Sequence, residues 1–112
     1  MLKKLISVAL LSLGLSVSAH AQIQTTTPQL IGQIQVLATG GFYVTPSTGS
    51  WGASDAACAN AFYVFVEPGN AAEWKSMLAT AMTGSAATKN IQFWGQCNTD
   101  PLYFDADQII LQ

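Results

Sequence analysis

A single amphipathic helix set between two groups of alternating segments limits the fold of this chain more than any other feature. Asn70 suits a helix N-cap and Glu73 stands three positions on, the Asn-x-x-Glu form of a capping box. Trp74, Met77, Leu78, Ala81 and Met82 then fall at i, i+3, i+4, i+7 and i+8, one apolar stripe, with Lys75, Ser76 and Thr80 on the other side. Gly84 marks one stop and the Ala86-Ala87 pair allows a further turn, so the helix ends near Thr83 or near Ala87.

Ahead of the helix, Leu30 to Ala38 alternates with period two, Gln33 and Gln35 marking its wetter face. Thr39-Gly40-Gly41 is a tight-turn sequence, and Phe42 to Thr45 resumes the strand until Pro46, which predicts a hairpin. Residues 46–60 are irregular around Trp51 and close on Cys58. Phe62 to Val66 then reads as a strand buried on both faces, ended by Glu67-Pro68-Gly69. Beyond the helix, Ile91 to Trp94 alternates and runs on to Cys97; Asn98 to Pro101 is a turn. Leu102 to Phe104 is a short strand, and Asp107 to Leu111 is a last one after Asp105-Ala106. The predicted order is βββαβββ, an α+β domain with a mainly antiparallel sheet; a small barrel closed by one helix is one way to arrange it.

The first residues predict where the chain works. Lys3 and Lys4 form a basic start, Leu5 to Val17 an uncharged apolar run, and Ser18-Ala19-His20-Ala21 a small-x-small site, the three parts of a secretory signal cleaved after Ala21. The apolar run stops short of the roughly 20 residues that span a bilayer, so no membrane span is expected after cleavage. Residues 1–21 are therefore assigned to a signal peptide, 22–29 to a flexible Thr-rich leader ending near Pro28, and 30–112 to one domain. The expected location is the periplasm or the medium.

Cleavage leaves two lysines, Lys75 and Lys89, against Asp55, Glu67, Glu73, Asp100, Asp105 and Asp107, a net charge of −4 with no Arg and no His. Binding phosphates needs clustered Lys or Arg, so nucleic acid is not an expected partner. A mature chain of about 90 residues has a thin stability margin from its core alone. Cys58 and Cys97 are the only cysteines, and an even count in an exported chain predicts a disulfide. Charged residues are only 9% of the chain and apolar types 50%, which fits either a surface of uncharged polar residues or an apolar surface that meets another subunit.

The segment Trp74 to Thr83, followed by Lys89-Asn90-Ile91-Gln92-Phe93-Trp94-Gly95-Gln96-Cys97, together with Cys58 and the aromatic strand Phe62 to Val66, resembles small exported bacterial proteins similar to the binding subunit of subtilase cytotoxin and pertussis-like AB5 toxins. The resemblance covers roughly residues 30–112. It implies an OB-like barrel with one helix, a homo-pentameric ring, and glycan recognition on the outer face. The toxin subunits' sugar-binding residues do not map onto positions here, so glycan specificity does not follow from it, and a shared fold says little about function.

Nucleophilic catalysis of the Ser-His-Asp or Cys-His kind needs a base that a mature chain without His does not supply, and zinc sites built on His and free Cys fall by the same count. Asp55, Asp100, Asp105 and Asp107 are carboxylates for glycoside hydrolysis in principle, but Asp100 and Asp105 stand where Asp commonly initiates turns. Asp105-x-Asp107 lacks the further oxygen ligands and Gly of a calcium loop. No enzyme activity, metal or cofactor is expected. Trp74 belongs to the helix's core stripe, whereas Trp94 is open between core, interface and surface. Trp51 lies in a Gly/Ser loop without apolar periodicity, beside Asp55, and is either a ligand contact or a cover over a core edge. Tyr43, Trp51 and Asp55 are the candidate ligand-binding residues. The leading expectation is a glycan-binding module; the alternative is a structural or inhibitory exported protein that binds a partner through an apolar sheet face.

Overall fold

The structure, a computed structural model, describes residues 23–112. The predicted signal segment and its cleavage site lie outside the described residues. The elements are β1 (Gln24–Thr25), β2 (Ile31–Val36), β3 (Phe42–Pro46), a single 3-10 turn (Ala56–Cys58), β4 (Tyr63–Val66), α1 (Trp74–Ala86), β5 (Ile91–Cys97) and β6 (Tyr103–Leu111). They form one α+β unit whose six strands lie in the order β1-β5-β6-β4-β3-β2. Only β4 and β6 are parallel; every other pair is antiparallel. Among the described residues no helix is long and apolar enough to cross a membrane.

Alternation sorts the strands into two faces. Phe42, Val44, Val64, Val66, Ile91, Phe93, Phe104 and Ala106 point to a common interior and are fully buried. The hairpin β2–β3 forms where its turn sequence predicts. Gly41 has φ +85°, and a Cβ there would lie 2.3 Å from the Val66 carbonyl oxygen, so this position accepts only glycine. Helix α1 covers the interior through Met77, Ala81 and Gly84.

Five expectations need correction. Residues 24–29 are not a loose leader: β1 pairs with β5, the Thr26 N–H donates to the Phe93 carbonyl (2.9 Å), and Gln29 and Ile91 exchange backbone hydrogen bonds. Threonine favours strands when an edge is offered, and the edge comes from more than 60 residues away. The two short strands expected after Pro101 are one, because a bulge opposite Trp94 and Gly95 takes up the extra residue Asp107 and lets Asp105 and Ala106 stay in register. The order is thus ββββαββ rather than βββαβββ. The sheet is also not closed into a barrel: β1 and β2 are its two edges, and Pro28, which has no N–H to give, stands between them.

The fourth correction concerns the helix start. It begins at Trp74 behind Glu73, which makes no side-chain cap, while Asn70 Nδ2 donates to Glu67 Oε1 instead. Turns at residues 68–73 delay the first helical residue past the capping-box position. At the other end the longer alternative holds, since Gly84 lies inside the helix. A Cβ at Gly84 would meet Ile91 Cδ1 at 2.6 Å and Leu111 Cδ1 at 3.0 Å, so the glycine is a point of close approach, not a stop. Thr88, at φ 55°, ends the helix, and the Lys89 N–H returns to the Gly84 carbonyl.

The fifth correction is Trp51. Its ring is 0% exposed, meets Phe93 edge-to-face at 5.2 Å, and its Nε1 donates to the Val44 carbonyl oxygen at 3.1 Å. Of the two sequence readings, the cover over the core is the one observed. Apolar periodicity is absent because the loop contributes one large side chain rather than a face. The predicted disulfide Cys58–Cys97 is present and ties this loop to the end of β5, with Cα atoms 5.7 Å apart.

Candidate ligand-binding face

The residues that alternate with the core set on β3, β4 and β6 build an aromatic surface on the uncovered side of the sheet. Tyr43 sits opposite Phe65, Phe65 opposite Asp105, and Tyr63 opposite Tyr103. Tyr43 stacks on Phe65 with ring centroids 4.7 Å apart, and Tyr63 on Tyr103 at 5.1 Å. Edge-to-face contacts of 5.9 Å (Tyr43–Tyr63) and 5.8 Å (Tyr43–Tyr103) join the two stacks. Such offset and T-shaped pairs hold one another in place beyond what burial alone contributes. At these separations the rings touch and leave no cage between them. They form a platform, and all four remain half-buried. Phe62, 38% exposed, extends it by an edge contact with Tyr63.

Polar groups border the platform on its β5–β6 side. Asp105 receives Asn98 Nδ2 at both carboxylate oxygens (3.2 and 2.9 Å). Asp105 and Asp107, with Asn70, Gly95 and Gln96, line a groove of about 230 Å³. The phenol of Tyr103 is held above its ordinary value, first by partial burial and then by Tyr43, Tyr63 and Asp100 nearby. It is therefore a neutral hydrogen-bond donor across the physiological range. Lys75 lies over the Trp74 ring on α1, and neither it nor Lys89 lines the groove.

The three sequence candidates do not converge. Tyr43 stands at the centre of the platform. Trp51 is on the opposite, interior side of β3. Asp55 caps the 3-10 turn, accepting from the Ala57 N–H at 2.8 Å and from Gln24 Nε2 at 3.0 Å, a structural role. Tyr63 and Phe65 were missed because Phe62 to Val66 has only apolar and aromatic residues, and Tyr103 because Leu102 to Phe104 is the same; alternation then cannot tell inside from outside. The signal available was the amphipathic character of tyrosine, which prefers a surface with one wet end. Trp94 faces outward between Thr25 and Gln108, half-buried, with its Nε1 enclosed and without a partner among the described residues.

Chemically the face offers ring faces, neutral phenols, amides and carboxylate acceptors. The only His of the chain, His20, precedes the described residues, and both cysteines are bonded to each other. Among the described residues no group of three or more His, Cys, Asp or Glu is placed to hold a metal ion. No family model, no curated protein and no solved structure matches the chain.

Proposed function

We propose that this chain is an exported, non-enzymatic binding module that holds a glycan on the Tyr43–Tyr63–Phe65–Tyr103 face. The observation that carries the proposal is a preassembled platform of four contacting aromatic rings on an uncovered sheet face, bordered by the hydrogen-bonding groups of Asn98, Asp105 and Gln96. A pyranose presents a C–H face that stacks on such rings, and its equatorial hydroxyls donate to carboxylates and amides at the rim. Binding sites combine apolar area with a few placed polar groups in this way.

An OB-like architecture fits the same proposal. Strands β2, β3, β4, β6 and β5 lie side by side with the helix between β4 and β5. The segment before β2 pairs with β5 while β2 pairs with β3, so both sheet edges belong to one stretch of chain. OB-folds are partly open barrels that bind oligosaccharides on their second and third strands, the counterparts here of β3 and β4. The resemblance to toxin binding subunits adds a homo-pentamer, which sedimentation of the unreduced protein tests by mass.

Retention on a glycan array, lost by about tenfold or more in Tyr43→Ala with unchanged circular dichroism, is the expected result. A folded protein that retains no saccharide sinks the proposal. The second reading is an exported protein partner on the same face. It is favoured by Leu102, 51% exposed, whose carbonyl accepts from the Phe62 and Tyr63 N–H groups and so places a further apolar side chain beside the platform.

A further inference from the structure

We infer that the platform selects saccharides free of acidic groups, an inference that rests on the glycan-binding proposal and adds the ligand's charge class to it. Asp105 lies directly across from Phe65 in the β4–β6 ladder and two positions along the same face from Tyr103. A sugar seated on the rings therefore has its rim at Asp105 and at the groove that Asp107 shares. The side-chain partner of Asp105 is the neutral amide of Asn98, and its oxygens keep lone pairs for sugar hydroxyls. Asp100, at the turn into β6, adds a third carboxylate beside Tyr103. The cations, Lys75 and Lys89, are on and just after α1, away from the groove lining.

An acidic sugar placed on these rings meets carboxylates, and among the described residues no Arg or Lys lines the groove to receive its own. At about 6 Å in a half-solvated site, one such repulsion weakens binding roughly tenfold or more. A neutral pyranose meets the same carboxylates as hydrogen-bond acceptors. The aromatic rings supply the attraction and the acids supply the exclusion, so the two parts of the face act on different properties of the ligand.

The test uses an array of matched neutral and acidic glycans, such as lactosamine-terminated chains with and without terminal sialic acid, and chito-oligosaccharides beside oligogalacturonates. It is probed at low salt with the unreduced protein, with Asp105→Asn/Asp107→Asn and with Tyr43→Ala. Retention of neutral members at least tenfold above their acidic partners, with a ratio that narrows in the double Asn variant, is expected. Acidic members bound as well or better, through a contact that Tyr43→Ala abolishes, overturn the charge selection and leave the glycan proposal standing. No retention of any member overturns both.

Discussion

Opening the Cys58–Cys97 bridge is expected to remove a large part of this protein's stability. The bridge closes a 39-residue separation. In the chain-entropy description, a closed loop of that length deprives the unfolded chain of about 13 cal/mol/K, or about 4 kcal/mol at 25 °C. A domain of about 90 residues has a total of roughly 5–13 kcal/mol, so the loss amounts to a third or more of it. At this size 1 kcal/mol corresponds to roughly 4–8 °C, and Tm should fall by about 20 °C on reduction. Urea titrations with and without a phosphine reductant measure the effect, because reduction keeps both sulfurs in place. The reduced form should also show a larger m value, since its unfolded chain is free to expand. Cys58→Ala/Cys97→Ala should lose slightly more, because Cys58 is fully buried and its missing sulfur leaves a small void. A Tm change below about 5 °C on full reduction, with m unchanged, would refute the reasoning.

Trp51→Ala should cost about 3–5 kcal/mol in chemical denaturation, from loss of the core cover and of its hydrogen bond to Val44. Trp51→Phe should lower Tm yet keep glycan retention per folded molecule, and loss of retention at unchanged Tm would return Trp51 to the site. Thr88→Gly should raise stability by about 1 kcal/mol in a thermal melt, because a β-branched residue at φ 55° is strained where glycine is not. Tyr103 holds its proton more tightly folded than unfolded. Its contribution is therefore complete below about pH 10 and lost as pH rises through the folded value. Tyr103→Phe should flatten the fall of Tm above pH 10, and an unchanged slope would place that fall elsewhere.

The contrast between Phe42–Pro46 and Phe62–Val66 shows what was legible locally. Both were found as strands from β-branched and aromatic content alone. Neither showed plainly which of its two residue sets faces water, because Phe65 is as apolar as the valines beside it and the phenols of Tyr43 and Tyr63 are a small polar signal on large apolar rings. Trp51 misled for the converse reason: polar neighbours in sequence say nothing about a side chain that reaches across the fold to Phe93 and Val44. The loop is held in that place by long-range hydrogen bonds such as Thr27 N–H to the Trp51 carbonyl.

By itself the sequence determined the class of fold, one helix on a mainly antiparallel sheet, the pairing of its two cysteines, and a low charge content with a net charge of −2. Those properties depend on local periodicity and on counting, which need no partner strand. The tertiary structure alone decided that residues 24–25 are a strand, that residues 103–111 are a single one, that Gly84 is a contact rather than an end, and that four aromatics meet on an open face. Each of these is a relation between segments distant in the chain, set by which edge accepts which hydrogen bonds and which side of the sheet the helix covers.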